Sequence, residues 1–160
     1  MKNEIDAFIG YMHEHRQTSG NTEAAYARDL RKLMEYLQET GVTEFAQVSR
    51  EQLKDFLLTL EAQGRKASTI SRFIASVKAF FAWQMEQDIR DDNPADGLKA
   101  PKIEKKPPEI LTEAEIGRLL EQPSSGAPKE LRDKAMMELL YATGIRVSEL
   151  ISLELSDVNL

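Results

Sequence analysis

The sequence holds 160 residues, 41% apolar and 30% charged, with a formal net charge of −6; that length accommodates one ordinary domain or two small ones. The acidic total excludes a uniformly basic nucleic-acid coat protein, and the lack of cysteine excludes disulfides, thiolate metal sites and cysteine nucleophiles. No apolar run approaches the ~20 residues that span a bilayer, and the acidic opening Met1-Lys2-Asn3-Glu4-Ile5-Asp6 lacks a signal-peptide pattern, so a soluble cytoplasmic protein is expected.

Helical periodicity governs the chain from its start. Ile5, Phe8, Ile9 and Met12 follow the i, i+3, i+4, i+7 spacing of one buried stripe. Tyr26, Leu30, Leu33 and Leu37 make a second stripe, with Ser19, Asn21 and Thr22 as candidate caps and Gly41 as its stop. Ser49-x-x-Gln52 reads as a capping box for a third helix with Leu53, Phe56, Leu57 and Leu60 inward, ended by Gly64. A long fourth helix is expected to start at Ser68 or Thr69, with Ile70, Phe73, Ile74, Val77, Phe80, Phe81 and Met85 on its apolar line. Four such helices with short connections make a bundle over residues 1–92.

Composition then changes. Residues 93–108 hold Pro94, Pro101, Pro107 and Pro108 with Lys99, Lys102, Lys105 and Lys106; proline fixes φ and removes backbone donors, so an extended interdomain linker is expected. Thr112-x-x-Glu115 then caps a helix bearing Ile116, Leu119 and Leu120, and Pro128 precedes another with Leu131, Ala135, Met136, Leu139 and Leu140 inward. Gly144 stops that helix before a short one containing Val147, Leu150 and Ile151. Residues 109–160 are a short piece to bury a core alone and read as the opening of a larger domain. No β-alternating run and no internal repeat is visible.

Charge is unevenly spread: net −4 over residues 1–61, +3 over 62–106 and −5 over 107–160. Arg65, Lys66, Arg72 and Lys78 fall between Gly64 and Phe80 with no acid among them. From charge alone such a stretch reads first as a solvated face; an anion-binding one is the alternative, because screening limits distant acids to about 8–10 Å of reach. On the fourth helix, Ser68, Ser71, Arg72, Ala75 and Ala79 lie opposite the apolar line at 100° per residue. Small side chains there allow close approach of a large partner or of another helix, and the helix N-terminus offers N–H groups to phosphate. Arg28, Arg31 and Lys32 are placed either to meet phosphates or to pair with Asp29 and Glu35. His13-Glu14-His15-Arg16 is read as a polar helix end, since helical metal ligands sit at i, i+4.

Arg146 and Glu149, in Ala142-Thr143-Gly144-Ile145-Arg146-Val147-Ser148-Glu149-Leu150, put a guanidinium at a helix junction with a carboxylate three residues on. That arrangement is either a phosphate-binding fork or a surface ion pair worth less than about 1 kcal/mol.

At this stretch the sequence resembles the Xer-type tyrosine recombinases of the phage-integrase superfamily. LRDKAMMELLYATGIRVSELISLELSDVNL, residues 131–160, is similar to the opening of that family's catalytic domain. NTEAAYARDLRKLMEYL and KASTISRFIASVKAFFAW resemble the two DNA-gripping helices of its core-binding domain, and DDNPADGLKAPK its linker. The resemblance implies a mainly α chain: a SAM-like core-binding bundle of four to five helices over 1–92, a linker over 93–108, and over 109–160 the helical start of a mixed α/β catalytic domain. It implies a clamp on double-stranded DNA at a recombination half-site, a homo- or hetero-tetramer of recombinases on that DNA, strand exchange through a 3′-phosphotyrosyl bond, and neither metal, cofactor nor small-molecule substrate.

Carried over by position, Arg146 is the family's first catalytic arginine, holding non-bridging oxygens of the scissile phosphate, and Glu149 the acid that supports it. Arg28, Arg65, Lys66, Ser68, Thr69, Arg72, Lys102, Lys105 and Lys106 are the expected DNA contacts. The family's catalytic Lys, H-x-x-R pair and nucleophilic Tyr have no counterpart here; Tyr11, Tyr26, Tyr36 and Tyr141 lack the nucleophile's context and His13-x-x-Arg16 lies in the wrong domain. The chain alone is therefore expected to bind DNA without cutting it. A non-catalytic DNA-binding regulator and a helical protein-interaction module are the alternative readings.

Overall fold

Every helix of the chain is short enough to need a neighbour, and the arrangement follows from which stripe meets which. The computed structural model describes residues 1–103 and 107–157; among these there are seven α-helices and no strand. They divide into two units, Met1–Lys105 and Lys106–Leu160.

In the first unit α1 (Lys2–Arg16) packs on α2 (Gly20–Glu39), and α2 on α3 (Arg50–Ala62) and α4 (Ala67–Glu86). Ser19 caps α2 by accepting the Thr22 N–H, and the Ser49/Gln52 box opens α3 with both of its hydrogen bonds formed. The expected stripes close on one core: Ile5, Phe8, Met12, Leu30, Leu33, Leu37, Leu53, Phe56 and Leu60 are buried. Phe80 is its aromatic hub, edge-on to Phe8 at 5.4 Å and to Phe45 at 4.7 Å between ring centroids. Edge-to-face geometry adds to the area these rings bury.

Three details differ from expectation. α4 starts at Ala67, and neither Ser68 nor Thr69 caps it. Gly64 takes φ +71° and the Arg65 N–H reaches back to the Leu60 carbonyl, which completes the reversal two residues before the helix starts. At the far end Met85 is 40% exposed while Trp83 and Gln84 are buried. Trp83 covers Phe8, and the Gln84 amide N–H₂ donates to Glu4 at 2.8 Å, so α1 draws those two positions inward.

The segment 93–98 is also not extended. Asn93 accepts the Ala95 N–H on its side chain and donates to the Lys78 carbonyl, which buries Ala95 and Leu98 against the bundle. Arg90 fastens the same corner. Its Nη1 donates to the carbonyls of Phe45 (2.8 Å) and Val48 (3.1 Å), and its guanidinium lies over the Phe81 ring. Proline composition alone cannot register an asparagine-built turn.

The second unit packs α6 (Pro128–Thr143) against α5 (Glu113–Leu120) and α7 (Val147–Ile151). The Thr112/Glu115 capping box is present. Burial is sparse: Leu150 is the one buried apolar residue among those described in this unit. Leu131 is 59% exposed and Ala135 is exposed as well, against the inward positions expected of them, and Leu119, Val147 and Ile151 stand 49%, 63% and 72% exposed. A single layer of three short helices gives each stripe too few partners to close a core.

Candidate nucleic-acid interface

Two features carry the chemistry, one in each unit. In the first, α4 turns Ser68, Arg72 and Ala75 outward, with Ser71, Ala79 and Thr69 half-buried at the margins. Its N-cap position is Lys66, whose side chain cannot accept a hydrogen bond, so no side chain caps the helix. The Thr69 N–H turns back to the Lys66 carbonyl, and the Ala67 and Ser68 N–H groups remain available to an anion, beside the exposed Arg65 and Lys66.

On α2, Arg28 and Lys32 are exposed. Arg28, Arg31 and Lys32 line a shallow groove with Ile9, Ala24 and Ala27, and Lys32 lines the next groove together with Arg65. Arg28, Lys32 and Arg65 thus follow one another over α2 and the turn before α4, with Glu23, Glu35 and Glu39 lining the same grooves. Arg31 meets Asp6 at 3.7 Å, whereas Arg28, Lys32, Arg65, Lys66 and Lys102 have no ion-pair partner within 4 Å among the described residues. Lys105 and Lys106, also expected to meet DNA, lie outside the described residues.

Arg72 is different. Its Nε and Nη2 each donate to Asp29 at 2.9 Å, one bond to each carboxylate oxygen. The Asp29 side chain is 5% exposed and that of Arg72 41%. Asp29 hydrogen bonds raise the Arg72 pKa above the ordinary arginine value, against a smaller opposing effect of burial. Asp29 thus pairs across to α4, not along α2 with Arg28, Arg31 or Lys32. Sequence reading missed this role, although the signal was present: Asp29 lies three residues after Tyr26 and four before Leu33, on the apolar stripe, where an acid needs a cation from a neighbouring element.

In the second unit Gly144, at φ +67°, ends α6 and sends its N–H to the Leu140 carbonyl. Only two residues separate that stop from α7. Arg146 takes the extended conformation of the N-cap position of α7, and Glu149 grips it twice: Oε2 accepts the Arg146 N–H at 2.7 Å and Oε1 accepts from Nη1 at 3.0 Å. This is half a capping box, because a guanidinium has no acceptor to return. The Arg146 side chain is 81% exposed, so its remaining donors face outward.

The two histidines do not converge. His13 faces Glu23 at 3.2 Å while His15 stacks on Tyr11. No cluster of three or more potential metal-ligating residues occurs among those described, and no helix described is long and apolar enough to cross a membrane.

A helical bundle followed by a unit that holds an arginine at a glycine-made helix junction defines a class, and sequence comparison gives it a name. Residues 5–88 match the phage integrase N-terminal SAM-like domain and residues 109–160 match the phage integrase family. The chain belongs to the phage integrase family. Among curated proteins it is similar to a tyrosine recombinase XerC of Herpetosiphon aurantiacus, at 40% identity over all of this chain and 53% of that protein. It is also 39% identical to a tyrosine recombinase XerD of Oceanobacillus iheyensis, over 98% of this chain and 52% of that protein. The chain spans about half the length of the curated relatives it matches.

Solved structures agree on the fold. The Tn1549 transposon integrase, determined in complex with circular intermediate DNA, superposes at a TM-score of 0.70 with 22% identity, covering 98% of this chain and 51% of that one. The integrase of mycobacterium phage Brujita gives 0.58 with 26% identity, over 93% and 48%.

Proposed function

We propose that the chain is part of a site-specific tyrosine recombinase of the Xer kind, acting in the cytoplasm on a double-stranded DNA recombination site. The first unit grips a half-site. Arg28, Lys32, Arg65, Lys66 and the open N-terminus of α4 meet the sugar–phosphate backbone, Ser68 and Thr69 add hydroxyl donors, and Lys102, Lys105 and Lys106 follow the strand. In the complete protein the second unit contributes to the active site: Arg146 binds non-bridging oxygens of the scissile phosphate, and Glu149 holds the guanidinium in place while charge builds in the transition state. Strand exchange then proceeds through a 3′-phosphotyrosyl link supplied by the complete protein, within a homo- or hetero-tetramer of recombinases on the paired sites.

The observation that carries this reading is the double grip of Glu149 on Arg146 beside Gly144. The ion pair itself, this exposed, adds under about 1 kcal/mol to stability; what supports the reading is that the carboxylate that starts α7 also aims the guanidinium outward, toward an anion.

The test is fluorescence anisotropy of this chain on a 30-base-pair recombination site at 50 mM salt, with and without the charge reversals Arg65→Glu and Lys66→Glu. Salt-sensitive binding that the reversals weaken at least tenfold is expected. Absence of binding, or indifference to the reversals, rejects the assignment. Binding that yields no covalent adduct on a nicked suicide substrate, even with the remaining half of a relative supplied in trans, assigns the chain to site occupancy and not to strand exchange.

A further inference from the structure

The Asp29–Arg72 pair joins the middle of α2 to α4 at the one charged position on α4's outward face between Ser68 and Ala75. A phosphate-seeking arginine profits from free charge. Here a carboxylate that is almost wholly buried cancels that charge while fixing the direction of the guanidinium. The two bonds to Asp29 use Nε–H and one N–H of Nη2. That leaves the other Nη2 proton and those of Nη1, the end-on fork, facing away from Asp29. A fork with fixed aim and little net charge suits an edge with two adjacent acceptors better than it suits a diffuse anion.

In the major groove such an edge belongs to guanine, whose O6 and N7 accept from both prongs. Ser68 and Ala75, one turn to either side, are short enough to let α4 approach a groove floor closely. Resting on the DNA-binding reading above, we propose that Arg72 is the base-reading residue of the first unit, recognising one guanine of the half-site through its end-on fork. Asp29 is the positioning residue that aims it.

The experiment begins by selecting duplexes with the wild-type chain from a randomised 30-base-pair library, and uses the best selected duplex as the probe. One guanine of that probe is expected to matter through Arg72: its replacement by adenine weakens wild-type binding about 5- to 150-fold, and replacement by 7-deazaguanine, which removes N7 alone, weakens it several-fold. Arg72→Ala loses the preference at that position only. Asp29→Asn also loses most of it, yet binds an unselected duplex as well as or better than wild type, because a negative charge has gone. A merely structural role for Asp29 would weaken binding to both duplexes together; circular-dichroism melts of each variant check the fold.

Selection without a required guanine, insensitivity of the wild-type chain to 7-deazaguanine, or full discrimination retained by Asp29→Asn or Arg72→Ala would each overturn the proposal while leaving DNA binding standing. Failure of the wild-type chain to bind any duplex at 50 mM salt would remove the DNA-binding reading and this proposal with it.

Discussion

Glu149 holds Arg146 by two separate bonds, one to its backbone N–H at 2.7 Å and one to its guanidinium at 3.0 Å. One carboxylate therefore starts α7 and orients the arginine at once, and the two tasks separate by mutation. Glu149→Gln retains an oxygen for the N–H but gives up the ionic hold on the guanidinium. Amide exchange at Arg146 is expected to stay near wild type in Glu149→Gln and to accelerate in Glu149→Ala. On the proposed role of Arg146, phosphotyrosyl formation by a complete recombinase carrying this sequence is expected to fall about 10- to 100-fold in both, the range found for outer-shell partners that orient metal ligands, and about 100- to 1000-fold in Arg146→Ala. Suicide-substrate cleavage reads the rates and hydrogen exchange reads the cap. Equal protection in Ala and Gln variants would show that the cap plays no part.

Arg90 has a structural task of comparable definition. Its side chain is 9% exposed and its Nη1 serves two carbonyls, those of the buried residues Phe45 and Val48. Arg90→Met keeps an unbranched side chain but removes the guanidinium from Phe81 and strands the Val48 carbonyl, while the Phe45 carbonyl retains the Val48 N–H; the unfolding free energy is expected to fall by about 1–3 kcal/mol. Asp92, its partner at 2.9 Å, is 70% exposed, and Asp92→Ala is expected to cost less than about 1 kcal/mol. Urea unfolding of the two variants measures the difference, and equal losses would contradict it.

Local rules made much of this chain readable. The Ser49/Gln52 and Thr112/Glu115 boxes, the φ > 0 stops at Gly64 and Gly144, and the stripes of α1 to α4 depend on neighbours within four residues, which sequence displays directly. What escaped depends on partners far along the chain. Asp29 and Arg72 are 43 residues apart, Arg90 and Phe45 are 45, and Gln84 and Glu4 are 80; none has a periodic signature. The prolines of residues 93–108 likewise hid a turn made by Asn93. In the second unit the apolar stripes were visible, but how far each one is covered is a property of packing and not of spacing. Of the proposed interface, the exposure of Arg146 and its hold by Glu149 follow from a motif the sequence displays, while the engagement of Arg72 by Asp29 does not.

Acid should open the second unit from α5. The Thr112 backbone N–H, and then its hydroxyl, hold the Glu115 carboxyl below its ordinary value; the Ser125 N–H and hydroxyl do the same for Glu130. A folded-state value below the unfolded one means the contribution is whole at and above the usual carboxylate range, about pH 4.3. It is lost as pH falls through the depressed value, when the unfolded chain takes up the proton first. Amide protection in α5 is expected to hold from pH 7 to about 4.5 and to decline below that. Glu115→Gln keeps the acceptor without a titrating group, so its protection should not change over the same interval. Hydrogen exchange across that range decides the matter, and a decline on raising pH would reverse the assignment.

On the proposed DNA-binding reading, salt dependence separates the cations assigned to phosphate from the one held by Asp29. Each phosphate neutralised releases condensed counterions, lowering the slope of log K against log salt by about 0.9; four to six contacts give a slope of about −4 to −5. Arg28, Arg65 and Lys66 have no ion-pair partner among the described residues, so each carries its full charge to the duplex. Arg65→Gln should make the slope shallower by about 0.9. Arg72→Gln should alter it by clearly less, because Asp29 already balances that charge at 2.9 Å. Asp29→Asn should steepen it, since the freed guanidinium then acts as a further counter-charge. Anisotropy titrations on one duplex between 50 and 200 mM salt give all three slopes. An Arg72→Gln slope as shallow as that of Arg65→Gln would place Arg72 among the ordinary phosphate contacts.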